Sequence, residues 1–438
     1  MKSIRSTVLI HCLVAGLFTT GAFAGNWPQW RGPFFNGSAT ESNLPSSWSK
    51  TENVLWTTPM PGPSHATPII WDDTIFVSSP DEDKNLLLYC LDRKTGKVRW
   101  KQQVGVGDRT KGRNNMTSPS PVTDGKTVWI LYGTGELAAF DFSGKQVWAR
   151  QLAVEYGRFS IQWLYGSSPM LYKNRLYIQV LQRCPEAGEE PPPGQPKRES
   201  FILCLDPTTG TNIWRHVRQT DAEAESQESY ATPMPSECSG RTEIVVAGGD
   251  YVTGHDAQTG TELWRGGGLR NFEHLSDGRL VPTPVLIDGL VIVNGPKRNP
   301  MLAFHDCGRG DITKTGLAWT YTKYPTDCVT PLAYEGKLFD LDGDRQMMVC
   351  MNPATGKVIW QQPLGNREIY RASPTGADGK IYCLSENATA VVMSADDGKI
   401  LAAVNMDGGQ CHATIAAAQG CLFVRTAQNL YCIGKKSN

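Results

Sequence analysis

His65, Arg371 and His412 carry the side chains best suited to binding chemistry in this sequence. Each stands three residues before the last residue of a short motif: Ala66-Thr67-Pro68, Ala372-Ser373-Pro374 and Ala413-Thr414-Ile415. Ser118, Gly166, Tyr230, Val281 and Cys328 hold the same position in further copies, and Asp327, Tyr370, Glu228, Arg279 and Gln410 lie one or two places earlier. Imidazole, guanidinium, carboxylate and phenol groups gathered in one place suit an anionic or polar ligand, or else line a water-filled channel. Cys411 sits beside His412, and two imidazoles with a thiolate are ligands for zinc or copper. Adjacent strand residues point to opposite faces, so a shared metal would need irregular backbone at Cys411. The expectation is therefore a polar patch with no metal, in which His65, Glu228, Tyr230, Arg279, Asp327, Arg371 and His412 meet a ligand.

Other candidate chemistry is thinner. Asp340, Asp342 and Asp344 are spaced like a calcium loop, but Met351 stands where the closing bidentate Glu belongs, so the run reads as a hairpin turn. No Cys-x-x-Cys pair offers a zinc knuckle, and no Cys-x-x-Cys-His offers a haem attachment. No residue is assigned a catalytic role.

The elements that position these residues come from an internal repeat. A block of Asp, two variable residues, Thr-Gly and then Trp recurs as Asp92-Gly96-Trp100, Asp141-Gly144-Trp148, Asp206-Gly210-Trp214, Asp256-Gly260-Trp264 and Asn352-Gly356-Trp360. Two copies are worn, one running from Asp306 to Trp319 and one ending at Leu401 in place of Trp. Asp bonds the backbone of its own turn and Gly accepts positive φ, so each block reads as a hairpin. The motif ending in Pro or Ile appears eight times, each followed by an apolar strand, which predicts an all-β, eight-bladed propeller of four-stranded blades. The unpaired strand around Trp56 is expected to complete the last blade, near Cys432, and to close the ring. The repeated Trp residues are expected to pack blade against blade.

With these motifs the chain resembles the pyrroloquinoline-quinone-like (PQQ-like) β-propellers over about residues 53 to 433. The opening Trp27-Pro28-Gln29-Trp30-Arg31-Gly32-Pro33 is similar to the start of exported planctomycete-type members. That family includes quinone-dependent alcohol dehydrogenases and the non-catalytic propeller of the outer-membrane assembly machinery. The resemblance to the dehydrogenases implies PQQ held against a disulfide between adjacent cysteines and a calcium ion, yet this sequence has no Cys-Cys pair and no matching calcium set. The reading is thus a cell-envelope binding or interaction scaffold with a protein or peptide partner, the alternative being a PQQ-dependent oxidoreductase.

Composition agrees with this. Forty-three basic side chains balance forty-three acidic ones, so the overall field does not draw nucleic acid. Forty-four Gly and 28 Pro disfavour long helices. Lys2, Arg5, the apolar run from Val8 and the Ala22-Phe23-Ala24 end read as a secretory signal over 1–24, which implies a periplasmic or extracellular protein. An arm over 25–52, the propeller over 53–434 with a flexible Pro-rich excursion at 183–199, and a tail over 435–438 follow. Losing Cys12 with the signal leaves eleven of twelve cysteines, an odd number whose pairing is open. Cys90, Cys204, Cys350 and Cys432 share a repeat position and are expected to pack as small apolar residues.

Overall fold

The computed structural model describes residues 25–49, 51–185, 194, 196–238, 240–270 and 278–435. Residues 1–24, where a secretory signal is expected, most of the 183–199 stretch expected as a flexible excursion, and residues 436–438 fall outside the described residues. Eight antiparallel sheets of four principal strands follow one another: 69–106, 122–151, 170–217, 234–266, 285–321, 332–363, 375–405 and 416–433. The eighth has only three strands of its own, and Val54–Pro59 supplies the fourth, with Trp56 opposite Cys432. A sheet edge that would otherwise stand open is paired.

Short strands form because turn chemistry interrupts them. The innermost hairpin of the fifth blade turns on Asp288 (φ 51°) and Gly289 (φ 77°), both left-handed, as a two-residue turn of this hand requires. In the outer hairpins Asp92 Oδ1 accepts bonds from the Thr95 amide and hydroxyl at 2.9 Å each, and the same turn recurs at Asp256 and Asn352.

The Trp residues join neighbouring blades, as the repeat implied. The indole N–H groups of Trp56, Trp100, Trp148, Trp214, Trp319 and Trp360 donate to a turn carbonyl of the next blade at 2.8–3.1 Å. Each ring lies on the Gly of that turn. A Cβ on Gly96 would stand 2.5 Å from the Trp56 ring, so this position needs glycine for space as well as for φ. The two worn copies have separate causes. Leu401 replaces Trp because the eighth blade takes its outer strand from the N-terminus and has no outer turn to receive an indole. After Asp306 the turn is replaced by an excursion whose Gly310–Asp311 pairs in parallel with the fourth blade and whose Cys307 is disulfide-bonded to Cys238. Trp264, left without a turn, is buried and donates to Glu243 Oε2 at 2.7 Å.

A second set of bonds circles the channel. At seven of the eight landmarks the Thr or Ser hydroxyl accepts the amide of its counterpart one blade back: Thr67 to Ser120, Ser120 to Ser168, Ser168 to Thr232, Thr232 to Thr283, Thr283 to Thr330, Thr330 to Ser373 and Thr414 to Thr67, at 2.9–3.3 Å, while between the seventh and eighth blades the Thr375 hydroxyl donates to the Ile415 carbonyl. These amides leave the ladder where the chain enters each blade, and a buried amide must find another acceptor. The eight landmarks are thus a belt.

The N-terminal arm crosses the ring beyond that belt. Trp27 is fully buried and bridges Ile70, the Pro28 carbonyl accepts the Thr123 amide, the Gly37 carbonyl accepts the Gly376 amide, and the Ala39 amide donates to the Gly376 carbonyl. Arg31 is wholly buried, and its guanidinium donates to the carbonyls of Pro331, Pro374 and Asn36 at 2.8–3.1 Å. Burial without a carboxylate partner lowers its pKa to about 9. No helix among the described residues is long and apolar enough to cross a membrane.

Candidate ligand site at the channel mouth

Each blade enters its innermost strand through its landmark, so the residue three places before the final Pro or Ile faces the axis once per blade. His65, Ser118, Gly166, Tyr230, Val281, Cys328, Arg371 and His412 all line one chamber of about 740 Å³. Hydroxyls of the belt form its waist, and Trp30 of the arm contributes at the far side.

Two clusters give the chamber its character. In the first, His65 and His412 meet across the ring closure with Nδ1 atoms 3.3 Å apart. His412 Nε2 lies 2.9 Å from Glu386, which also pairs with Arg113 at 3.1 Å. His412 Nε2 faces the carboxylate, and His65 Nδ1 faces both His412 Nδ1 and the Asn114 side-chain oxygen, each at 3.3 Å. Burial first, then the neighbouring His412, holds the His65 pKa well below its ordinary value, so His65 is neutral at pH 7. Burial would raise the Glu386 pKa, but His412, Arg113 and Arg371 lower it on balance.

In the second cluster Arg279 grips Asp327 with two parallel bonds of 3.0 and 2.9 Å. Cys328 Sγ lies 3.8 Å from the same guanidinium, and burial followed by the Asp327 charge pushes this thiol up to about 12. Arg371 is held by Asp344 at 2.5 Å. Glu225 is paired with Lys297 at 2.7 Å and accepts from the Trp163 indole at 3.2 Å.

Of the sequence candidates, His65, Tyr230, Arg279, Asp327, Arg371 and His412 line the chamber, and Glu228 does not. Glu228 is fully buried one layer behind, paired with Arg183, and it accepts the Tyr230 hydroxyl at 3.2 Å. The chain comes to it out of the Ala224–Gln227 turn, so strict strand alternation does not hold there. Cys411 lies in the hydrophobic core, and burial pushes its thiol up to about 12, so it does not join the two imidazoles. Arg113, Asn114, Trp163, Glu225 and Lys297 also line the site and escaped the sequence reading, because they sit on connections of unequal length between repeats, and Trp30 reaches it from the arm, outside the repeat.

The quinone-and-calcium arrangement implied by the dehydrogenase resemblance finds no matching donors. Among the described residues, the chamber's sulfur is the single thiol of Cys328, and its carboxylates, Glu225 and Asp327, are each committed to a cation.

Solved structures share the fold at low identity. BamB from Moraxella catarrhalis is 13% identical with a TM-score of 0.59, covering 87% of this chain and 99% of that one. The quinohemoprotein alcohol dehydrogenase from Comamonas testosteroni is 12% identical with a TM-score of 0.68, covering 95% and 82%. A europium-containing methanol dehydrogenase is 10% identical with a TM-score of 0.69, covering 92% and 90%. No curated protein sequence matches. The family model described as outer membrane protein assembly factor BamB matches residues 38–171, 198–327 and 316–410, most of the propeller, and the chain belongs to this PQQ-like, BamB-type family of β-propellers.

Proposed function

We propose that this chain is an exported propeller that serves the cell envelope as a binding scaffold, and that its chamber engages a carboxylate-bearing ligand. One observation carries the reading: Arg113, Arg279, Lys297 and Arg371 line the chamber against the two carboxylates of Glu225 and Asp327. Those carboxylates act as tethers that fix guanidinium and ammonium groups in place, which favours an anion entering from solvent. Among the described residues the donor set does not resemble an activated nucleophile, since the Cys328 thiol is raised and Ser118, whose hydroxyl lies 3.5 Å from His65 Nδ1, donates to Asn114 and to the Asn115 carbonyl instead. The envelope setting rests on the N-terminal signal pattern and on the BamB-type family.

Isothermal titration with small di- and tricarboxylates tests this on the full chain and on Arg371→Gln and His65→Ala/His412→Ala variants. The expected result is saturable binding that weakens about tenfold or more in Arg371→Gln, the loss of one charge-assisted contact. Identical heats for all three proteins would remove the chamber as the site. A calcium-dependent quinone chromophore with dye-linked alcohol oxidation would instead assign a dehydrogenase.

A further inference from the structure

Behind the chamber wall lies a polar group that the turn reading of Asp340-Asp342-Asp344 leaves unexplained. Asp344 and one oxygen of Asp342 do turn work: Asp342 Oδ1 accepts the amides of Asp344 and Arg345 at 3.1 Å, and Asp344 holds Arg371. Asp340 does neither. It follows the residue of the second strand that is in register with the block Trp, and the same place in the other seven blades holds Val77, Ile130, Ile178, Val246, Val293, Cys383 and Val424. Seven internal copies of one position choose an apolar side chain, and one copy places a fully buried carboxylate there.

The surroundings of Asp340 are oxygen-rich. Asp342, two residues on, lies on the same face of the strand and is 1% exposed. Across the interface, Asn294 of the fifth blade, also 1% exposed, places its amide 3.2 Å from Asp340 Oδ1. Asn294 Oδ1, Asp340 Oδ2, Asp342 Oδ2 and the Tyr321 hydroxyl have no hydrogen-bond partner, while Arg345 reaches Asp342 Oδ2 only from the rim, at 3.4 Å. Two fully buried carboxylates on one face of one strand repel each other, and the Asn294 N–H bond leaves Asp340 Oδ2 and Asp342 Oδ2 without a hydrogen-bond donor to offset that repulsion. Amide oxygen and nitrogen are interchangeable in shape, so a flip of Asn294 turns its carbonyl toward the carboxylate.

We propose that Asp340, Asp342 and Asn294 form a site for a calcium-sized divalent cation between the fifth and sixth blades. Carboxylate and amide oxygens are the ligands that hard cations of this class select. A divalent ion cancels the repulsion of the pair, and the flipped Asn294 carbonyl joins the same ion. The site is separate from the ligand chamber but shares its wall: Thr326, whose amide reaches Asp340, precedes Asp327, and Asp344 follows Asp342. The ion therefore braces the segment that presents Arg279 and Arg371.

The test is metal content and thermal unfolding of the full chain, with Asp340→Val, which restores the residue type of the other blades, and Asp340→Asn as a milder variant. Each protein is dialysed against calcium chloride, or separately magnesium chloride, desalted and analysed for bound metal. The expected result is about one calcium per parent chain and none in either variant, with a midpoint for the parent about 2–4 °C higher in millimolar calcium than in EDTA and no such shift in the variants. No metal in the parent, with unfolding indifferent to calcium and EDTA, would overturn the site and leave Asp340 a neutral buried acid. Equal calcium in the parent and both variants would place the ion elsewhere and overturn it as well.

Discussion

The imidazoles of His65 and His412, 347 residues apart in sequence, sit with ring centroids 4.1 Å apart where the first and eighth blades meet. The contact exists only when the ring is closed, so it reports closure and the state of the chamber together.

That relationship fixes a pH dependence. The folded-state pKa of His65 lies below its unfolded value near 6.5, so the unfolded chain binds the extra proton first as pH falls. Stability is therefore full above about pH 6.5 and declines below it, by at most about 1.4 kcal/mol per pH unit for one group. His412, Asn114 and Arg425 face His65, and Glu386 with its lowered pKa adds a loss of the same sign at lower pH. His65→Gln is expected to unfold with a shallower dependence on pH between 6.5 and 5 than the parent, measured by chemical denaturation across that range. A parallel profile would refute the assignment.

The docking of Trp on the next blade predicts a graded response. Trp148 and Trp360 are partly exposed, so replacement by Ala is expected to cost about 2–3 kcal/mol, less than the ~3–5 of a fully buried ring. Leu401→Trp should bring no gain, since no outer turn awaits the indole. Urea unfolding of the three variants measures both.

The Cys238–Cys307 bond ties the fourth blade to the excursion of the fifth across 69 residues. Loop-closure entropy for that span gives about 4 kcal/mol, so Cys307→Ser is expected to lower stability by that order. Limited proteolysis should cut the variant first between residues 306 and 316. Uniform cutting elsewhere would show that the excursion is held by its strand pairing alone.

The repeat made the architecture legible because turn chemistry is local: Asp, Gly and Trp at fixed offsets announce a hairpin wherever they fall. The inward positions were legible for the same reason, since one residue per blade must face the axis. The landmark Thr and Ser stood in plain view, yet their circular bonding depends on the neighbouring blade and has no local signature. Glu386, Arg113 and Lys297 lie on connections that differ from blade to blade, so no period points to them. The Cys238–Cys307 pair was likewise hidden, because the strand addition that brings the two together replaces the repeat exactly where the block is worn.

The closing strand and the arm that follows the belt set an order of events on the folding chain. Arg31 is made before the propeller and finds Pro374, 343 positions later, only when the seventh blade exists. Each blade can form from neighbours in sequence, but the arm precedes the blades and is seated after the seventh. Contact order is therefore low within blades and extreme at one point, and the slow step of folding falls there. Until it is taken, the eighth blade carries a bare strand edge, so an unfinished molecule is marked by its unseated arm.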